Sequence, residues 1–476
     1  MTVLVIDVGT SSVRALVVGD DGRTAHEKHV ETLPSSPHPG LVEFEPGEIA
    51  SAALTLARDV AQAAGGVDAV GITNQRASTV AWDARSGEPV GPGIGWQDLR
   101  TVGRCLELRS AGIPVAPNQT ATKAEWLVGH ADVPAEHLRI GTVDAWVAWT
   151  LSDGSAHVTD ASNAAVTGLY DVAAADWDGD LLDHLGIPRD ALPQVVDTIG
   201  RCASASQIVG APPIAAIAGD QQASLVGQGC VTPGQAKITF GTGAMLDLCL
   251  DQPPPARTPA GTFPIVAWQQ DGRPTFGLEA VMLTAGTAVE WLRDGLGIID
   301  SAADSATVAS AVERTEGVVF VPSLSGTGSP DWDHGARGLL VGATRGTTRA
   351  HVVRAVLEGV AHRGTDLVEA AEVATGERID TLRIDGGMSR NDVFVQALAS
   401  ASQRTVEVSA EREATALGAG LLAGVAVGTW SDLADAAASR PAPTTIEPGA
   451  PLDRERFVEA RRRAGGWIPE LSGLDL

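Results

Sequence analysis

The hydrophobic positions of the chain fall in short runs that end abruptly in small or polar residues. Val3 to Ile6, Val67 to Ile72, Ile214 to Ala218, Ala236 to Phe240 and Leu382 to Ile384 all follow this rule. Apolar runs of this length suit strands covered on both faces. Arg14 to Val18 with the turn Gly19-Asp20-Asp21-Gly22 reads as a hairpin, and Ser78 to Trp82 reads as a further strand. Between the runs lie helical patterns. Glu45-Pro46-Gly47-Glu48 opens an amphipathic helix to about Ala64, with proline and acids at its N-terminal end, and another helix is expected from about Asn391. Ala121 to Asp183 reads as mostly helix and loop, with Trp126, Trp146, Trp149, Tyr170 and Trp177 as packing residues. Strands alternating with helices predict an α/β fold whose functional residues sit at strand ends.

One apolar stretch has to be weighed as a membrane span. Ala414 to Trp430 contains four glycines and follows Glu411-Arg412-Glu413. It is short for a span and lacks interface residues on both flanks. It reads instead as a small-residue helix packed tightly inside a domain.

The second half repeats the first in outline. The opening strand runs into Val8-Gly9-Thr10, and the strand from Ala236 runs into Gly241-Thr242-Gly243. Two strands that each end in a Gly-Thr turn suggest a duplicated nucleotide-binding fold with a cleft between the copies. A length of 476 residues fits two domains or more. The expected division is 1–228, 229–430 and a tail with a helix over 431–476, with Arg440 to Glu447 as a Pro/Ala/Thr linker.

Charge then narrows the partners. A net charge of −25 argues against binding nucleic acid or an anionic membrane. A phosphate ligand would have to be held by local N–H groups, a metal ion and a few basic side chains. The cysteines at 105, 202, 230 and 249 show no CxxC spacing, and no signal-peptide pattern opens the chain. A cytoplasmic location is the expectation. The oligomeric state stays open, a homodimer being one option.

The familiar catalytic signatures are missing. There is no Walker A loop, no protein-kinase HRD or DFG set, no HExxH and no GxSxG. What remains is a set of acids and glycine turns at strand ends. Asp7 stands where a carboxylate can hold a metal ion or water. Gly9 lets a ligand approach the backbone, Thr10, Ser11 and Ser12 offer hydroxyls and N–H groups, and Arg14 adds a positive charge. Asp220, between Gly219 and Gln221, is placed as a general base toward a hydroxyl, a role worth roughly 10²–10⁴-fold.

At this point a resemblance carries further than any single motif. The chain resembles the FGGY family of carbohydrate kinases, and within it the glycerol kinases most. The likeness extends nearly end to end, through GITNQR at 71–76, GTVDAW at 141–146, HVTDASNA at 157–164, AGDQQASLVGQ at 218–228, FGTG at 240–243, WLRDGL at 291–296, DWDHGARG at 331–338 and LRIDGGMSRN at 382–391. The resemblance implies two actin-like, ribonuclease H-type ATPase domains with the active site in the cleft between them. It implies Thr10, Ser11, Ser12 and Arg14 at the ATP phosphates, with Thr242 and Gly243 forming a second phosphate loop. Gly286, Glu290, Gly387 and Asn391 would lie on the adenosine side. Asp7 would help hold Mg²⁺, through water, and Asp220 would be the base. Arg76, Trp96, Asp220 and Gln221 would face a small polyol or sugar.

The departures bear on the acceptor. Ala77 stands where glycerol kinases carry a glutamate, and Asn118 where they carry a substrate-site tyrosine. Ala244 and Met245 replace the usual cysteine and phenylalanine. A hydroxyl left unpaired in a closed site costs about 1–3 kcal/mol. The expected reaction is phosphorylation of glycerol to glycerol 3-phosphate. The alternative is a longer polyol or a ketose, such as a tetritol, xylulose or ribulose. A reading of another class is a non-catalytic ATP- or sugar-binding switch protein, against which the intact Asp220 and Arg76 argue.

Overall fold

The computed structural model describes residues 1–255 and 260–473, so the last three residues of the expected tail lie outside it. The chain opens with an antiparallel meander of β1 (Val3–Val8), β2 (Ser12–Val18) and β3 (Thr24–Glu31). Val3, Leu4, Val5, Ile6 and Val8 are all buried, so β1 is covered on both faces as its unbroken apolar run predicts. Helix α1 (Pro46–Ala63) follows, with proline in its first turn and Ile49, Ala53, Leu56, Ala57 and Val60 on its buried face. The chain then enters β4 (Ala69–Asn74), parallel to β1. Two further strands complete this half. β5 (Ile199–Ser204) is antiparallel to β6 (Pro213–Gly219), and β6 is parallel to β4. Helix α2 (Asp220–Gly227) starts where β6 stops.

The second half repeats this topology. β7 (Ala236–Phe240), β8 (Ala244–Leu250), β9 (Phe263–Gln270) and β10 (Arg273–Met282) come first, with β8 antiparallel to both β7 and β10. A 27-residue helix, α3 (Arg349–Thr375), leads to β11 (Thr381–Asp385), parallel to β7. Helix α4 (Asp392–Ser402) and β12 (Thr405–Val408), parallel to β11, close the copy. Thus β7, β8, β10, β11 and β12 stand to one another as β1, β2, β3, β4 and β6 do. The two copies join in one hydrogen-bonded sheet through the bridge Ile199–Gln270 between β5 and β9.

Helix α5 (Ala414–Val427) is the small-residue helix of the sequence reading, and the structure shows what its glycines permit. A Cβ on Gly418 would lie 1.8 Å from the Ala223 carbonyl oxygen, and one on Gly227 would lie 1.8 Å from the Ala414 carbonyl oxygen. Helices α2 and α5 therefore touch backbone to backbone. Although α5 comes late in the chain, its side chains pack with Val3, Val5, Ala69 and Ala218 of the first half.

One expectation needs correction, and another gains a detail. Thr444–Ile446, inside the expected linker, is an edge strand, β13, antiparallel to β12. Its β-branched residues favour pairing, and the prolines at 441 and 443 precede it rather than interrupt it. The segment 121–183 is not only helix and loop. Leu138–Thr142 joins Thr79–Asp83, Gly93–Ile94 and Glu43–Phe44 in a separate four-stranded sheet, because its short alternating pattern suits antiparallel pairing with Thr79–Asp83 rather than a helical face. Finally α6 (Arg454–Ala464) docks on the second half through Phe457 and through Arg454 and Arg461, which pair with buried Asp366.

Candidate active site

The centre of the site is built where β6 meets α2 and β4 meets its following loop. Asp220 is the first residue of α2, and its Oδ1 accepts from the Gln221 N–H at 2.8 Å. Arg76 follows β4 and reaches across, with Nε 3.3 Å from Asp220 Oδ1. Its Nη2 donates to Glu279 Oε2 on β10 at 2.6 Å. One guanidinium thus bridges the two halves. Its Nη1 is buried and makes no hydrogen bond among the described residues. Burial works against the charge of Arg76, but Glu279 and Asp220 outweigh it and raise its pKa. Burial likewise lifts the Asp220 carboxyl above the usual range, with Arg76 opposing.

Asp7 and Arg14 are register partners on β1 and β2. Burial lifts the Asp7 carboxyl to about 7, Arg14 pulling it down and Asp220 and Glu413 pushing it up. Arg14 is held among acids. Its Nη1 donates to Glu413 and lies 3.7 Å from Asp7 Oδ2, and its Nε lies 3.1 Å from Glu27 Oε1. The β1–β2 turn between them is closed by Gly9 N–H to the Ser12 carbonyl at 2.9 Å, leaving Ser11 exposed and Thr10 and Ser12 half-buried. Trp96 is half-buried beside this turn rather than in a core. Its Nε1 donates to Thr10 Oγ1 at 3.2 Å, and its carbonyl accepts from buried Lys123 at 3.1 Å.

The second turn, Gly241-Thr242-Gly243, is pinned to the start of the short helix Gly286–Glu290. Ala285 and Thr287 donate their N–H groups to the Thr242 carbonyl at 2.9 and 3.2 Å. A Cβ on Gly286 would come within 2.6 Å of the Gly241 carbonyl, which explains glycine there. Thr242 itself is exposed. Gly387 opens the turn after β11, and a Cβ on it would meet nothing.

The remaining expected site residues are held in different ways. Asn391 caps α4, with Oδ1 accepting from Phe394 N–H at 3.1 Å and Nδ2 donating to Ser305 at 2.9 Å. Asn118 and Glu290 are exposed, and their side chains make no hydrogen bond or ion pair among the described residues. Met245 lies half-buried on β8, opposite Thr239. Ala77 is buried with φ at 61°, an uncommon conformation for a residue with a Cβ. Its carbonyl accepts from Thr120 Oγ1 at 3.2 Å, which brings the two departing segments, at 77 and at 118–120, together.

Sequence reasoning passed over a row of charges. Lys237, Asp247 and Glu279 are register partners across β7, β8 and β10, and Lys237 Nζ lies 2.7 Å from Asp247 Oδ2 with both side chains fully buried. Burial pushes the Asp247 carboxyl up, against the pull of Lys237. The signal was present: each charge interrupts an otherwise apolar strand. Asp385 was also missed. It accepts from Ser224 of α2 and from Gln228 just past the helix end at 2.9 and 3.0 Å, tying the turn that contains Gly387 to the helix that begins with Asp220.

With this geometry in view, comparison places the chain. The N-terminal and C-terminal domain models of the FGGY family of carbohydrate kinases match residues 2–227 and 236–427. The chain belongs to the FGGY family of carbohydrate kinases. A glycerol kinase of Dechloromonas aromatica is 42% identical over 96% of this chain and 95% of its own. Glycerol kinase 2 of Thermotoga maritima is 39% identical over 98% and 99%. Among solved structures, Plasmodium falciparum glycerol kinase with ADP superposes with a TM-score of 0.89 at 26% identity, covering 100% of this chain and 99% of that one. A xylulose kinase from Brucella ovis gives 0.87 at 25% identity, covering both chains in full. This FGGY protein is accordingly a phosphotransferase with an alcohol group as acceptor, and its family implies ATP as the donor. Among the described residues, no helix is long and apolar enough to cross a membrane.

Proposed function

We propose that the chain transfers the γ-phosphate of ATP to a hydroxyl of glycerol, with Asp220 as general base. The observation that carries this reading is the buried, unpartnered Nη1 of Arg76 beside the Asp220 carboxylate. A buried donor without a partner costs stability, and a substrate hydroxyl would satisfy it. Arg76 then orients the acceptor oxygen while Asp220 takes its proton. Because burial raises the Asp220 pKa, the carboxylate is a stronger base than a free aspartate. The turns at Thr10, Ser11 and Ser12 and at Thr242 and Gly243, with Ser11 and Thr242 exposed, supply hydroxyl and N–H donors for phosphate oxygens. The division at 1–228 and 229–430 puts one turn in each half.

Asp7 fits a water-mediated contact to Mg²⁺. Among the described residues no group of three or more acids, histidines or cysteines could hold a metal ion by itself. Mg²⁺ is characteristically held by one or two carboxylates, waters and substrate phosphates. When bound, it would neutralise charge on the phosphates. Asp7, lifted to about 7 by burial, is a group that a nearby cation would ionise.

Glycerol is favoured as acceptor because the curated relatives that match nearly end to end bear the name glycerol kinase. One observation favours a second reading. Ala77 adjoins the segment at 118–120 through the Thr120 hydroxyl, and Ala77 and Asn118 are smaller than the glutamate and tyrosine of glycerol kinases, which would suit a four- or five-carbon acceptor. The test is ADP release from Mg–ATP with glycerol, tetritols, pentitols, dihydroxyacetone, xylulose and ribulose. The highest kcat/KM with glycerol supports the first reading. A longer acceptor in first place moves the proposal to the second, and ATP turnover indifferent to every acceptor overturns both.

A further inference from the structure

Lys237 is a fully buried cation beside the candidate site. Its Nζ donates to Thr239 Oγ1 at 2.8 Å and to Gln221 Oε1 at 2.6 Å, and lies 2.7 Å from Asp247 Oδ2. Gln221 is half-buried and directly follows Asp220 at the start of α2. An ammonium group has donors only. The Gln221 atom that faces it must therefore be the oxygen, which fixes an amide orientation that density or geometry alone leaves ambiguous. The Nε2 group then points away from Lys237, and it makes no hydrogen bond among the described residues.

We infer that Lys237 is a positioning residue that holds the Gln221 amide with its NH₂ group toward the acceptor. At this position the site can then only donate, so it selects an acceptor oxygen with a free lone pair, either a hydroxyl or a carbonyl. The inference rests on the reading of Gln221 as an acceptor contact. Asp247 has a defined part in it. Its Oδ2 lies 2.7 Å from Nζ, so the Lys237 head group is anchored between Asp247, Thr239 and Gln221 and stays facing the amide oxygen.

The pair can be removed without stranding a charge. Lys237→Met with Asp247→Leu replaces a buried ion pair by apolar side chains, an exchange that is often neutral for stability. With glycerol and Mg–ATP, the double variant should show an acceptor KM raised by about tenfold, an ATP KM within about twofold of the parent, and an unchanged melting temperature. Gln221→Ala should raise the acceptor KM to a similar degree, and adding it to the double variant should change little further. A purely structural role would move both KM values and the melting temperature together. Gln221→Glu provides a second check with the buried pair intact. It keeps a partner for Lys237 but turns the pocket-facing donor into an acceptor, so the acceptor KM should again rise.

The failures separate. If Gln221→Ala and Gln221→Glu raise the acceptor KM while the double variant keeps the parent value, Lys237 does not position the amide and the inference falls alone. The same holds if the two effects add in full. If the Gln221 variants leave the acceptor KM unchanged, the acceptor reading of Gln221 falls and takes the inference with it.

Discussion

Arg76 and Glu279 meet across the two halves of the molecule, Nη2 to Oε2 at 2.6 Å. The pair decides how Arg76 divides its charge between two carboxylates. Glu279 also raises the Asp220 pKa through space. Glu279→Gln removes that repulsion and frees Arg76 to serve Asp220 alone, so the Asp220 pKa should fall. The acid limb of the kcat profile should therefore move to lower pH, while kcat at its plateau drops because the base is weaker. A limb that stays in place, or moves up, would contradict this linkage.

Asp220→Asn keeps the size of the side chain and its place at the head of α2 but removes the base. Turnover should fall by roughly 10²–10⁴-fold. Glycerol and ATP binding, followed by calorimetry, should persist. Near-normal turnover in this variant would remove Asp220 from the role of base.

The close approach of α2 and α5 predicts a coupled effect on stability and turnover. An alanine at Gly418 would drive its Cβ into the Ala223 carbonyl, a backbone atom that cannot rotate away. Overpacking of this kind costs about 1–3 kcal/mol or more. Since Asp220 opens α2, Gly418→Ala should lower both the melting temperature and kcat. Gly428→Ala, at the left-handed end of α5 (φ 83°), meets no atom but strains the backbone, so it should lower the melting temperature by a smaller amount and spare kcat.

A buried imidazole, His362, and a half-buried one, His157, set an acid limit to the fold. Burial holds His157 and His362 down to about 4, below the ordinary value near 6.5. Between those values the unfolded chain binds more protons than the folded one, so stability declines as pH falls through this window. His362 stacks on Phe457 with ring centroids 4.5 Å apart, and its Nδ1 is buried with no hydrogen-bond partner among the described residues. His362→Phe should keep the stacking and flatten part of the decline, read as melting temperature against pH from 7 to 4. An unaltered slope would mean that other groups cause the acid loss.

What the sequence revealed depended on whether burial leaves a pattern. β1 and β7 are legible because short apolar runs ending in glycine turns have few other readings. α5 is legible because glycine at close spacing in an apolar run points to backbone contact. α3 is harder. His362, Arg363, Thr365 and Asp366 are all buried within it, so no polar face alternates with an apolar one, and its 27 residues carry no clear helical period. The Lys237, Asp247 and Glu279 row was hidden for a related reason. A lone charge in a strand reads as a solvent-facing position, and only the register shows that the three charges lie side by side in the interior. Asn391 shows the converse: a residue matching the family pattern is engaged here as a helix cap.

Ala77 offers the most direct test of acceptor choice. It follows Arg76, it is buried, and its φ of 61° presents its Cβ in an uncommon direction. A glutamate there would add a carboxylate able to accept from a substrate hydroxyl and would narrow the proposed acceptor pocket. The left-handed conformation would be no worse for glutamate than for alanine, since both carry a Cβ, so the main costs are burial and repulsion from nearby acids. Ala77→Glu should therefore raise the ratio of kcat/KM for glycerol to that for erythritol by about tenfold, in line with the roughly 1–3 kcal/mol attached to one well-placed hydroxyl contact. If both acceptors lose activity in proportion, residue 77 lies outside the acceptor pocket, and the room for a longer substrate has to be sought at Met245 instead.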